Sequence, residues 1–155
     1  MFRDMRLGER LRPMEEAVRI LKDNTHGVLA LDGDAGYTYA VPVNFAYSDN
    51  KIYFHGASSG HKYDAMKNNN KISFCVVERE EILAKDYNTA FMSAIAFGTV
   101  RILEDEKERN DAFEIILKKF SPEFMEGGRE YVKAEWENVA AFEITIEHLT
   151  AKEGY

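Results

Sequence analysis

Residues 51–70, KIYFHGASSGHKYDAMKNNN, change character twice within a short span. Ile52 and Phe54 alternate with Tyr53 and His55, which is the period of a half-buried strand. Gly56-Ala57-Ser58-Ser59-Gly60 is a loop of small residues, and His61-Lys62 opens a short polar helix. Strand, Gly/Ser loop and cationic helix start together make an anion cradle. Glycines let the backbone approach closely, hydroxyls donate, and the free N–H groups of a helix start carry partial positive charge. Lys62 adds a full charge, as does His61 when protonated. A plain strand-to-helix turn, with Ser58 or Ser59 as the cap and Lys62 in water, would use the same residues. The cations stand in the first helical turn, however, where the helix dipole disfavours them. That placement favours an anion. A charge-assisted contact from Lys62 would contribute about 1.5–3 kcal/mol, or roughly ten- to hundredfold in affinity.

Upstream, Tyr37, Tyr39, Val41, Val43, Phe45 and Tyr47 alternate with Thr38, Ala40, Pro42, Asn44 and Ala46, predicting one long strand. Pro42 removes a ladder donor, so its position should be an edge, a bulge or a ligand-facing point. Pro42 and Asn44 share a face, and the Asn44 amide offers both a donor and an acceptor. AVPVNF (Ala40, Val41, Pro42, Val43, Asn44, Phe45) is therefore either core strand or the edge-reader of a planar heterocycle.

Further strands are expected at Val28–Leu31, Ile72–Val77, Thr89–Ile102 and Phe142–Glu147. Gly98 suggests a bulge or a close backbone approach. In the last strand Phe142, Ile144 and Ile146 point one way and Glu143, Thr145 and Glu147 the other. A first helix should start at Pro13, with Met14, Val18 and Leu21 as its apolar stripe beside Ala17, and stop at Asn24 and Gly27. Asp105 with Glu108 forms a capping box for a second helix, whose face is Ala112, Phe113, Ile116, Leu117 and Phe120. Gly127-Gly128 is expected to be a loop before a weaker helix around Glu130–Trp136. Residues 1–12 form a charged arm, and residues 78–88 show no period. About six strands with few helices indicate a mainly β protein, an antiparallel barrel with helical additions, in a single domain.

The 155 residues carry a net charge of −7, which argues against nucleic acid or an anionic membrane as partner. No uncharged run reaches the roughly 20 residues of a membrane helix. The chain opens on Met1-Phe2-Arg3-Asp4 with no apolar signal region, and lone Cys75 suits a reducing compartment, so a cytoplasmic protein is expected. His26, His55, His61 and His148 lack metal-ligand spacing, so no metal is expected. No nucleophile–base pair is evident, because nothing would orient His55 toward Cys75.

In order, GVLAL, YAVPVNFAY, IYFHGASSGHKYDAMKNNNKISFCVV, SAIAFGTVRILED and ITIEHLTAK resemble the FMN-binding split-barrel family. That family includes pyridoxamine 5′-phosphate oxidase and, closer here, the 5-nitroimidazole-resistance proteins. The resemblance implies a six-stranded split barrel and a homodimer with FMN at the subunit interface. It would lay Ala40–Phe45 along the flavin ring. His55, Gly56 and Ala57 would line the ring and ribityl chain, and Ser58, Gly60, His61 and Lys62 would take the phosphate. Ser93 and Ala94 would approach the ring from the other subunit, and the closing TAK resembles a family ending that adds Lys152 to the cofactor site. The family's usual arginine before the phosphate lysine is His61 here, so FMN retention is expected to weaken as pH rises. The chain ends at AKEGY without the arginine-rich segment of true pyridoxamine phosphate oxidases, which makes that reaction an unexpected one. The implied activity is FMN-dependent oxidoreduction of a small molecule, nitro-aromatic compounds among the substrates. Flavin or haem held for sensing or storage, and a dimeric scaffold with an empty cradle, are the alternatives.

Overall fold

A computed structural model describes residues 1–155. The strands are β1 (Leu11–Arg12), β2 (His26–Asp32), β3 (Thr38–Asn44), β4 (Ala46–Ser48), β5 (Lys51–Ala57), β6 (Lys71–Leu83), β7 (Asn88–Leu103) and β8 (Val139–Gly154). The helices are α1 (Met14–Asp23), α2 (His61–Asn68), α3 (Glu106–Phe120) and α4 (Met125–Ala134). All strand pairs are antiparallel, in the order β3-β2-β6-β7-β8-β5-β4, with β1 added to β8.

One residue turns this sheet into a barrel. The expected long strand breaks at Phe45, so that β3 and β4 adjoin in sequence yet lie at opposite ends of the hydrogen-bonded order. A chain can pass from one end to the other in one step only if the sheet curls until its ends meet. Phe45 is fully buried at that seam. Its N–H donates to the Thr25 carbonyl, and its own carbonyl accepts from Lys119 Nζ at 2.8 Å. The result is a mainly β barrel, split at the seam, with helices added. The interior holds Leu29, Leu31, Ile52, Phe54, Phe74, Val76, Phe142 and Ile144, with Ile20 and Leu21 of α1 closing one end.

Several sequence expectations shift. The buried stripe of α1 is Ala17, Ile20 and Leu21, with Val18 packed at its margin, and Met14 is exposed. The last two residues of the arm, Leu11 and Arg12, pair with Lys152 and Ala151, a contact too short to leave a period. Residues 78–83 continue β6 into a hairpin with β7, turned through Ala84–Asp86 and a left-handed Tyr87. Gly127 and Gly128 lie inside α4, where a Cβ at position 128 would meet Leu117 Cδ2 at 2.5 Å. Glycine there lets α4 pack closely on α3 and overrides its weak helix propensity. Gly98 marks a register shift on β7, and a Cβ there would collide with the Thr145 carbonyl. Asp105 caps α3 by accepting from the Glu108 N–H at 3.0 Å. Glu143 points away from Phe142 and Ile144 as expected, but it is buried, held by Arg101 at 3.0 Å and Tyr53 at 3.1 Å.

Candidate functional site

The cradle begins where β5 leaves the barrel. Ile52 and Phe54 are sealed in the core and His55 is exposed, and the strand ends at Ala57 beside Val139 of β8. Ser58 then fastens the loop. Its N–H donates to the Asn138 carbonyl at 3.1 Å and its hydroxyl to the Glu137 carbonyl at 3.0 Å. Gly60, at φ 106, makes the left-handed turn that starts α2, and no side chain caps the helix. The first helical backbone bond runs from Asp64 N–H to the Gly60 carbonyl. The N–H groups of His61, Lys62 and Tyr63 are thus left without a protein acceptor.

Lys62 folds back toward the barrel and lies against Gly56. It is half-buried and forms no ion pair or hydrogen bond within the chain. Burial pushes its ammonium pKa down from the ordinary 10.5. Burial also pushes the His55 pKa down from 6.5, and the Lys62 charge pushes the same way. An uncompensated cation beside free N–H groups, in a chain of net charge −7, is where an anion gains most. Gly56 fits this role as well: a side chain there would press on the Lys62 ammonium.

His61 is placed differently from Lys62. Its ring stacks on Tyr39 with centroids 4.1 Å apart, and Nε2 lies 3.7 Å from Asp34 Oδ2 in the β2–β3 turn. The six residues of AVPVNF divide between two faces. Ala40, Pro42 and Asn44 are exposed along the edge strand β3, whereas Val41, Val43 and Phe45 turn inward. Pro42 sits on that edge, where its missing N–H costs no central ladder bond.

On the outer face of the barrel Ser93 stands between Val77 and Lys152. The Lys152 ammonium lies 5.5 Å from the Phe91 ring centroid. Ala94 faces the interior, 1% exposed, so only its backbone could meet a ligand. The same outer face carries a cross-strand row, Val28–Cys75–Ile95, beside a second, Ala30–Ser73–Phe97. Val28 is 41%, Val77 59%, Ile95 40% and Phe97 39% exposed, an apolar surface atypical of a solvated strand face. The Phe2 ring stacks on Phe97 and on His148 at its margin.

Behind the site lies a feature that sequence pattern could not reveal. A cavity of about 310 Å³ separates Asn44 and His55 from helices α3 and α4. Its helical wall comprises residues whose 3.6-residue period marks them simply as a packed face. No three His, Cys, Asp or Glu side chains gather into a metal-binding group.

A family model described as pyridoxamine 5′-phosphate oxidase matches residues 13–153. No curated protein matches the chain. Among solved structures, an FAD-binding protein from Mesorhizobium loti is 25% identical, with 94% of this chain and 98% of that one covered at a TM-score of 0.69. A candidate 5-nitroimidazole antibiotic resistance protein from Bacteroides thetaiotaomicron is 19% identical, with 92% and 86% covered at 0.74. The flavocytochrome Anf3 from Azotobacter vinelandii is also 19% identical, with 98% and 72% covered at 0.80.

Proposed function

This chain belongs to the pyridoxamine 5′-phosphate oxidase family, and on that premise we propose that it is a flavoprotein holding FMN at the amino end of α2. The observation that carries the proposal is Lys62, a half-buried cation without a partner, folded over Gly56 beside three free N–H groups. The phosphate docks on Lys62 and the N–H groups that follow Gly60. Ser58 keeps the loop tied to Glu137 and Asn138, just ahead of β8, and offers its hydroxyl oxygen and backbone shape more than its donors, which are already used. His55, Gly56 and Ala57 line the ribityl chain, and the exposed Ala40–Pro42–Asn44 edge meets the ring, with the Asn44 amide reading its polar rim.

The apolar rows around Cys75 and Ile95 form the interface of a homodimer. Across it, the Ser93 and Lys152 pair of each subunit comes to the flavin of the other, and Ala94 does so through its backbone. The unit works as a single domain in the cytoplasm, as its lone cysteine suggests.

When bound, FMN supplies the electron transfer, and the protein supplies binding, orientation and electrostatics. The reading is an FMN-dependent oxidoreductase acting on a small molecule, nitro-aromatic compounds among them. The matched resistance protein supports that substrate class. A second reading, flavin or haem held without turnover, is favoured by the likeness to a flavocytochrome.

The visible spectrum of purified protein, before and after added FMN, tests the first step. Yellow protein bleached by reduced nicotinamide and restored by a nitro-aromatic acceptor supports the enzyme. Yellow protein that never turns over supports the binder, and protein that takes up no flavin refutes both flavin readings.

A further inference from the structure

The cavity behind His55 differs chemically from the cradle in front of it. Seven of its ten lining residues are hydrophobic, and none is an acid, a lysine or an arginine. Its volume, about 310 Å³, falls at the small end of ligand pockets, enough for a single ring system. The barrel wall contributes Asn44 and His55. The helical wall contributes Phe113, Phe120, Tyr131 and Val132. Three of those four are aromatic, so a flat ring could meet their faces or edges.

A charged ligand would lose its hydration here and find no opposite charge lining the space. Burial and the Lys62 charge lower the His55 pKa from 6.5, so its imidazole is neutral at pH 7 and offers one donor and one acceptor. Lys62 itself does not line the cavity. The two sites thus divide by charge, with anion binding on one side of β5 and neutral ring binding on the other.

We propose that the cavity between the Asn44–His55 wall and helices α3 and α4 is the substrate site, and that it takes an uncharged aromatic ring with a hydrogen-bonding substituent directed at Asn44 and His55. The inference rests on the flavin reading for the substrate role, because the same two residues border the place given to the flavin. Phosphorylated and carboxylated substrates are excluded by the same wall.

Benzamide and benzoate share one carbon skeleton and differ in charge, so they are the probes. Calorimetric titration of FMN-loaded protein should show benzamide binding at least tenfold more tightly than benzoate, and benzamide should shift the visible spectrum of the bound flavin. Val132→Trp, which fills the space, should weaken benzamide tenfold or more while FMN uptake stays unchanged. Tyr131→Ala, at a largely exposed position, should weaken it severalfold without challenging folding. Equal affinity for the two probes, unchanged binding in both variants, or a silent flavin spectrum would overturn the proposal. Benzamide binding by protein that takes up no FMN would also overturn the substrate role, and would show that the flavin reading had failed and not the ring site.

Discussion

The Lys62 side chain lies so close along Gly56 that a Cβ built on the glycine would stand 2.9 Å from Nζ and 3.2 Å from Cε. Position 56 therefore sets where the one unpaired cation of the cradle can rest. The obstructing group is the far end of a flexible chain, so Gly56→Ala should displace the ammonium and leave the barrel intact. FMN affinity should fall about tenfold, the lower part of what a charge-assisted contact is worth. Flavin fluorescence quenching would measure this, with circular dichroism as the check on folding.

The pH dependence of flavin binding should follow Lys62. Burial lowers its pKa, and a bound phosphate favours the charged form. Affinity should therefore be full below the lowered pKa and fall as pH rises through it toward the ordinary lysine range. His61, expected from sequence to govern this dependence, has its ring against Tyr39 and Asp34. His61→Gln should leave the alkaline fall in place. A titration series of wild type and variant between mild acid and strong alkali would separate the two residues.

Much of this site was legible in residues 51–70. The alternation of Ile52 and Phe54 and the helix start at His61 appear in the structure where the sequence puts them. Other features had no local signal. Glu78–Ile82 form strand with little burial, so the hairpin has no hydrophobic period. The break at Phe45 comes from barrel closure: the apolar alternation of the sequence runs on to Tyr47, but in the structure Phe45 and Ala46 are both buried. Both Gly127 and Gly128 are helical against local propensity, and Gly128 is where α3 and α4 approach too closely for a side chain. The cavity wall was hidden because Phe113 and Ile116 have the same period whether they meet a neighbour or enclose a space.

The outer face should prove to be the dimer interface. Ile95 lies at its centre, between Cys75 and Thr150, and is 40% exposed in the single chain. Ile95→Glu should give a monomer by light scattering at micromolar concentration. Flavin affinity should fall with it, because Ser93 and Lys152 would no longer reach the other subunit's site. A dimer of unchanged stability would place the interface elsewhere.

Gly98→Ala tests the barrel itself. The added Cβ would run into the Thr145 carbonyl, a backbone atom that cannot swing aside. Overpacking of this kind costs about 1–3 kcal/mol, and the denaturation midpoint should drop accordingly. Flavin affinity measured on the folded fraction should stay near wild type, because β7 at Gly98 is remote in sequence and register from the cradle.

The central claim is that a phosphate is held by Lys62, and comparing FMN with riboflavin in Lys62→Met tests it most directly. Wild-type protein should bind FMN at least tenfold more tightly than riboflavin, which has the same ring and no phosphate. In the variant that preference should collapse toward unity, chiefly through weaker FMN binding. An undiminished preference for FMN in Lys62→Met would contradict the account.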